Sequence, residues 1–179
     1  EISEPWLIMI GVAMDHERLN AAPDTLDEPT SAVEVGEQYN RAARVSRNLT
    51  NYIMGQGHYA KAYAGPYASA LLMIPPAIAA GFGELGKHGS LINRTYGSSF
   101  RLSAVVTKMP LLADAPDVFG ADDFCASCQV CTKACPPGAI SETKQTVRGV
   151  EKWYVDFDKC IPYFGEALGC GICIGRCPW

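Results

Sequence analysis

Apolar positions change their period along the chain, and each change predicts an element. Residues Trp6 to Met14 (WLIMIGVAM) form a nearly continuous apolar run with β-branched members, which predicts a buried strand. A loop with Pro23, Asp24, Asp27 and Pro29 follows. From about Ser31 to Gly55 the period is helical, with a stripe of Val35, Tyr39, Ala42, Val45 or Ser46, Leu49 and Ile53. Ser31 and Glu34 have the capping-box spacing, and Gly55 and Gly57 end the helix. His58 to Ala64 predicts a short strand. Ala68 to Ala80 predicts a short helix that Pro75-Pro76 break or restart. Phe100 to Thr107 (FRLSAVVT) is another strand, Lys108 to Phe124 a connector, and Trp153 to Phe157 a short strand. Helices and strands in mixed order give an α+β fold.

Charge narrows the picture slightly. The net charge is −4 and no lysine- or arginine-rich block occurs, which argues against an electrostatic grip on nucleic acid. No apolar run reaches the roughly 18 residues of a membrane-spanning helix. Glu1 at the start and Trp179 directly after a cysteine run suggest a piece of a longer protein.

The cysteines change the picture most. All eight lie at or beyond position 125, a clustering that argues for metal rather than a disulfide framework. The first run is Cys125-Ala-Ser-Cys128-Gln-Val-Cys131-Thr-Lys-Ala-Cys135-Pro136, the bacterial ferredoxin spacing. The second is Cys160 followed by Cys170-Gly-Ile-Cys173-Ile-Gly-Arg-Cys177-Pro178. In such runs three thiolates reach one cubane and the fourth reaches the other. Cys125, Cys128, Cys131 and Cys177 are therefore expected to hold one 4Fe–4S cluster, and Cys135, Cys160, Cys170 and Cys173 a second. Gly169, Gly171 and Gly175 would let the backbone approach the clusters. Zinc sites usually show paired Cys-x-x-Cys knuckles rather than triplets ending in Cys-Pro.

Other motifs are weaker. Gly81-Phe-Gly83-Glu-Leu-Gly86 matches the dinucleotide fingerprint, but it follows an expected helix and Val106 stands where an acidic residue belongs. The sequons at Asn48 and Asn93 are discounted, and His16, His58 and His88 are scattered without a ligand pattern. Taken alone, Tyr39 reads as a helix-face packing residue and Arg101 as an ion-pair partner.

In combination, these features resemble the reductive dehalogenases, which depend on a corrinoid and iron–sulfur clusters. The resemblance runs through Pro5-Trp6-Leu7-Ile8-Met9-Ile10, Asn51-Tyr52-Ile53-Met54-Gly55-Gln56-Gly57, the segment from Ile74 to Gly89, Tyr96-Gly97-Ser98-Ser99-Phe100-Arg101-Leu102 and both cysteine runs. It implies a nitroreductase-like corrinoid-binding core (residues 1–115) followed by a ferredoxin-like module with two 4Fe–4S clusters (116–179). It further implies a base-off corrinoid, a small organohalide substrate, a low-potential electron donor and a small membrane-anchor partner. The family is longer at both ends and normally carries an export signal, which implies attachment to the outer face of the cytoplasmic membrane; a cytoplasmic catabolic form is the alternative.

By position, Tyr39 would be the proton donor and Arg101 the cation that holds it and stabilises a departing halide. Gly81, Gly83, Glu84, Leu85, Gly86, Lys87 and Gly89 would pack against the corrinoid's nucleotide tail. Two positions depart from the family: Ala68 where some members have asparagine, and Lys87 where many have arginine. Two rivals remain at this stage. An epoxyqueuosine reductase would need a basic approach surface and an acidic proton donor in place of Tyr39. A plain two-cluster electron carrier would leave the first 124 residues unexplained.

Overall fold

The computed structural model describes residues 2–22, 29–65 and 70–179, so the expectations resting on Pro23, Asp24, Asp27 and Ala68 lie outside the described residues. Strand β1 (Trp6–Ala13) runs antiparallel to β5 (Phe100–Thr107), and β2 (Ala60–Tyr63) pairs with the other side of β5 in a sheet of order β1-β5-β2. Side chains alternate across this sheet. Ile8, Ile10 and Val105 pack with Ile53, Ala60 and Leu49 on the face under helix α2 (Thr30–Gly55). Met9 and Ala104 pack with Phe100, Ala77 and Leu91 on the other face. The strand expected to be buried, β1, is an edge strand in which only Met9 and Val12 are fully covered. The buried strand is the central β5, where Ser103 through Thr107 are all inaccessible.

Helix α2 begins at Thr30, but the capping box does not form. Pro29 takes the cap position without a side-chain bond, and Ser31 is buried inside the first turn. Glu34 turns to a tertiary partner instead. Its carboxylate accepts the Asp15 N–H at 2.8 Å and Arg18 Nη1 at 2.6 Å, tying α2 to the short helix α1 (His16–Asn20). A carboxylate that can meet a guanidinium and a helix-start amide gains more there than from a local cap. At the choice between Val45 and Ser46 the helix buries Ser46 and leaves Val45 39% exposed. Small residues let the helix lie close on the sheet, and Ser103 Oγ donates to the Ala42 carbonyl at 3.3 Å. The helix ends as expected, with Gly57 at φ +85 closing the turn.

Helix α3 (Ile74–Ala79) starts at its prolines rather than breaking at them, because proline suits a first turn whose N–H groups lack partners anyway. The glycine-rich stretch then forms β3 (Glu84–Leu85), paired with β4 (Leu91–Ile92).

Beyond the irregular connector lie α4 (Ala121–Ser127), α5 (Val130–Ala134), a hairpin of β6 (Gln145–Val147) and β7 (Val150–Lys152), α6 (Phe157–Glu166) and α7 (Ile172–Gly175). The strand expected over Trp153–Phe157 is replaced by this hairpin. Only Val155 makes a bridge, to Ile140, and Phe157 already opens α6. The hairpin turn uses Arg148 and Gly149, both at positive φ, without the Asn-Gly signal that would have announced it.

The two halves share buried contacts. Ile92 of β4 packs with Ala121, Cys125 and Trp153 across the expected boundary near residue 115. Glu84 Oε2 accepts the N–H groups of Phe119 and Ala121 at 2.8 and 3.0 Å, capping the start of α4 from the core. At the far end α7 lies on α1, so close that a Cβ at Gly175 would sit 2.7 Å from the Leu19 carbonyl oxygen. Among the described residues, no helix is long and apolar enough to cross a membrane.

Candidate active site and cysteine centres

All eight cysteines are free thiols, and they gather into two groups that cross the sequence order. Cys177 follows α7 but packs with Cys125, and both Cys125 and Cys131 feel its charge. Cys135 follows α5 but packs with Cys160 and Cys173, and Cys160 feels the charges of Cys170 and Cys135. Cys173 feels the charge of Cys131 and packs against the same buried cluster, so the two sets adjoin. Burial pushes the Cys131 thiol up to about 11 and the Cys173 thiol up to about 12, with neighbouring thiolates adding to it. A metal centre that takes these sulfurs must displace their protons, so loading is coupled to proton release. Two adjacent four-thiol sets fit iron–sulfur clusters by donor chemistry. Backbone amides support them: the Ala139 N–H donates to Cys135 Sγ at 3.4 Å. Gly169 and Gly171 hold φ of +84 and +64 in the second cysteine loop, a conformation that favours glycine.

One cavity of about 580 Å³ joins these centres to the core. All four cysteines of the second set line it, together with Tyr39, Arg101, His88 and Gly89. Ala32, Val35 and Tyr39 come from successive turns of α2, which therefore turns its N-terminal half toward this space. The Arg101 guanidinium stacks over the Tyr39 ring, 5.1 Å from its centroid. Burial lowers the Arg101 pKa from its ordinary value, opposed by Tyr39, although a guanidinium remains charged at any working pH. Among the described residues its Nε is buried with no hydrogen-bond partner, leaving an N–H donor unused. Such an orphan in a protein interior points to a ligand that completes it. Phe157, Phe164, Leu168 and Ile172 supply apolar wall.

His88, unremarkable in sequence, is 6% exposed at this wall. Its Nδ1 accepts the Ser90 N–H at 3.1 Å, so the ring proton falls on Nε2, which faces Ser98 Oγ at 2.9 Å. Burial pulls its pKa down to about 4, and the ring is neutral in the folded chain.

The expected corrinoid contacts are dispersed rather than gathered. Of those seven residues, Gly89 alone reaches the cavity of Tyr39 and Arg101. Gly81 lines a different cavity, beside Gly11, Arg41 and Phe82. Gly83 lies hard against the Ile92 carbonyl, Gly86 under the His88 ring, and Leu85 pairs with Leu91. Glu84 is spent on capping α4. Lys87 is 1% exposed and binds the carbonyls of Cys128 and Glu142. Most of the stretch therefore joins core to cysteine module, because its backbone is wedged between the two.

Comparison with known proteins follows the same division. Residues 124–179 match the 4Fe–4S dicluster domain. The tetrachloroethene reductive dehalogenase of Sulfurospirillum multivorans is 31% identical over 97% of this chain and 35% of its own length. A solved reductive dehalogenase described for B12-dependent dehalogenation superposes with a TM-score of 0.84, at 26% identity, over 97% of this chain and 25% of that one. The chain is similar to the reductive dehalogenases over nearly its whole length. It spans about a third of the curated dehalogenases it matches. It is also 30% identical to the epoxyqueuosine reductase of Salmonella typhimurium, over the whole of this chain and 49% of that protein.

Proposed function

We propose that this chain forms the cofactor-facing and electron-carrying part of a reductive dehalogenase. The reaction replaces a carbon–halogen bond with carbon–hydrogen, consumes two electrons and one proton, and releases halide. One observation carries this reading: Tyr39, Arg101 and all four cysteines of the second set line a single cavity. The core is read as nitroreductase-like, and the physiological role as terminal reductase of organohalide respiration, exported and held at the membrane by a small anchor protein.

A corrinoid bound in this cavity would supply a low-valent cobalt centre, chemistry that no side chain provides. Gly89, the α2 face of Ala32 and Val35, and the apolar wall of Phe157 and Leu168 are the residues placed to hold it. Tyr39 Oη is the proton source for the carbon left when halide departs. As that proton leaves, negative charge develops on the phenol, and the Arg101 cation over the ring stabilises it. The unused Arg101 Nε–H offers a charged donor to the leaving halide. The apolar wall of Phe157, Phe164 and Leu168 is exposed here, and a ligand covering it would exclude water and strengthen both interactions. The ligand sets give the electrons a direction, since Cys135, Cys160, Cys170 and Cys173 line the cavity while Cys125, Cys128 and Cys131 do not.

The epoxyqueuosine reductase reading has its support in shared ancestry. Against it, the described lining of the cavity contains no aspartate or glutamate to act as the acidic donor. The test is reconstitution of the complete protein with corrinoid, iron and sulfide, followed by halide release from chlorinated ethenes or phenols with a low-potential donor. Tyr39→Phe should lower turnover at least 100-fold, the lower end of general acid catalysis, with cobalt and cluster spectra unchanged. Full activity in that variant would return Tyr39 to a packing role. No halide from any organohalide with both clusters intact would end the dehalogenase reading.

A further inference from the structure

Lys87 is a buried cation that the proposed chemistry does not use. It is 1% exposed and sits between β3 and β4, at the seam of core and cysteine module. Its Nζ donates to the Cys128 carbonyl at 2.8 Å and to the Glu142 carbonyl at 3.0 Å, groups 41 and 55 residues away. It also lies 4.7 Å above the Trp153 ring. The nearby carboxylate of Asp122 is engaged elsewhere, by Lys144 Nζ at 2.6 Å and Trp153 Nε1 at 2.7 Å. The partners of Lys87 are therefore dipoles and a π face, which orient a positive charge without cancelling it.

That charge is seated at one cysteine set. Lys87 Nζ grips the carbonyl of Cys128, a ligand of the first set, and the side chain is held out of water there. Adding an electron to a cluster makes it more negative, and a fixed cation in a low-dielectric setting favours the more negative state.

We infer that Lys87 is a positioning residue for the cluster held by Cys125, Cys128, Cys131 and Cys177, and that its charge raises the reduction potential of that cluster alone. The consequence is a differential between the two centres, since among the described residues the cavity wall shared by the second set holds Arg101 and no other arginine or lysine. This inference rests on the two-cluster part of the proposed function and not on dehalogenation.

The test is potentiometric titration, read by electron paramagnetic resonance, of the protein reconstituted with iron and sulfide. A Cys128→Ser variant identifies the signal of the first cluster. Lys87→Met should lower that midpoint, with at least a tenfold fall in the reduced-to-oxidised ratio at fixed solution potential, or about 59 mV for one electron. The second midpoint should not move, and Lys87→Arg should restore the first. Equal shifts of both midpoints, or none with full iron content, would overturn the inference. Should Lys87→Met fail to hold the first cluster, Lys87→Gln decides, because it keeps a donor for the Cys128 carbonyl without the charge. A lowered midpoint in Lys87→Gln supports tuning by charge. Loss of the cluster from both neutral variants would make Lys87 a strut and refute it. Failure of the parent protein to assemble two clusters would instead count against the two-cluster reading itself.

Discussion

Protonating His88 is the perturbation whose cost the structure fixes most directly. The ring is 6% exposed, its Nδ1 already accepts the Ser90 amide, and a proton there would both break that bond and place a second cation near Arg101. Its pKa falls from the ordinary 6.5 to about 4 by burial. A group lowered in the folded state contributes stability that is present above 6.5 and is lost as pH falls toward 4, since the unfolded chain takes up the proton first. Between pH 7.5 and 5.5 that single site withdraws about 1 kcal/mol, and about 3 kcal/mol over the whole interval, from the linkage relation. The assay is urea unfolding followed by tryptophan fluorescence at both pH values, for the parent and for His88→Gln, which keeps an acceptor for Ser90 but cannot become charged. Carboxylates and clusters titrate in both proteins, so the difference between the two pH losses isolates His88. Equal losses in parent and variant would show that the ring is not held neutral, and the reasoning from burial would be wrong.

The crossed cysteine sets predict a pattern of iron loss. Cys128→Ala with Cys177→Ala should leave about half the iron of a two-cluster protein, whereas Cys128→Ala with Cys135→Ala should damage both clusters; iron analysis and resonance spectra check this, and the reverse pattern would uncross the sets. Gly175→Ala should destabilise the fold by about 1–3 kcal/mol, because its new Cβ meets the backbone of Leu19 and Asn20 rather than a side chain that can swing away. Thermal unfolding would read that change, with Gly36→Ala, where a Cβ meets nothing within 4 Å, as a control that should lose no stability. Arg101→Lys should keep the charge but lose the flat stacking on Tyr39, lowering halide release more than it alters cluster spectra.

Elements whose information is local were legible in the sequence. The span of β5 and the end of α2 at Gly55 follow from apolar runs and glycines. The iron–sulfur character of the last third follows from cysteine spacing, and residues 124–179 match the 4Fe–4S dicluster domain. What stayed hidden depends on partners distant in sequence. Ser31 and Glu34 spelled a capping box, but Arg18 and the Asp15 amide outbid the local bond. The sequence left Val45 and Ser46 open as the core position, and close helix–sheet contact selects the smaller side chain. His88 gave no signal because Ser90 and Ser98, which fix its tautomer, are ordinary serines until the fold assembles them. Lys87 and Glu84 were expected beside a corrinoid since they sit among glycines; their partners at Cys128, Glu142, Phe119 and Ala121 lie in the other half of the chain.

The contact of α7 on α1 bears on how such a chain comes to be folded. Leu19 is 1% exposed, and its cover comes partly from Gly175, some 150 residues later. An early helix whose lid is made so late must wait through most of synthesis with its apolar side open, and long-range closure of this kind is slow. The lid itself carries Cys173 and precedes Cys177, so a cluster bound there would hold it in place. Iron supply thereby becomes a condition for closing the N-terminal core as well as for moving electrons. A cell short of iron or sulfide would accumulate this protein as an open, protease-sensitive chain rather than as an intact enzyme awaiting its cofactor.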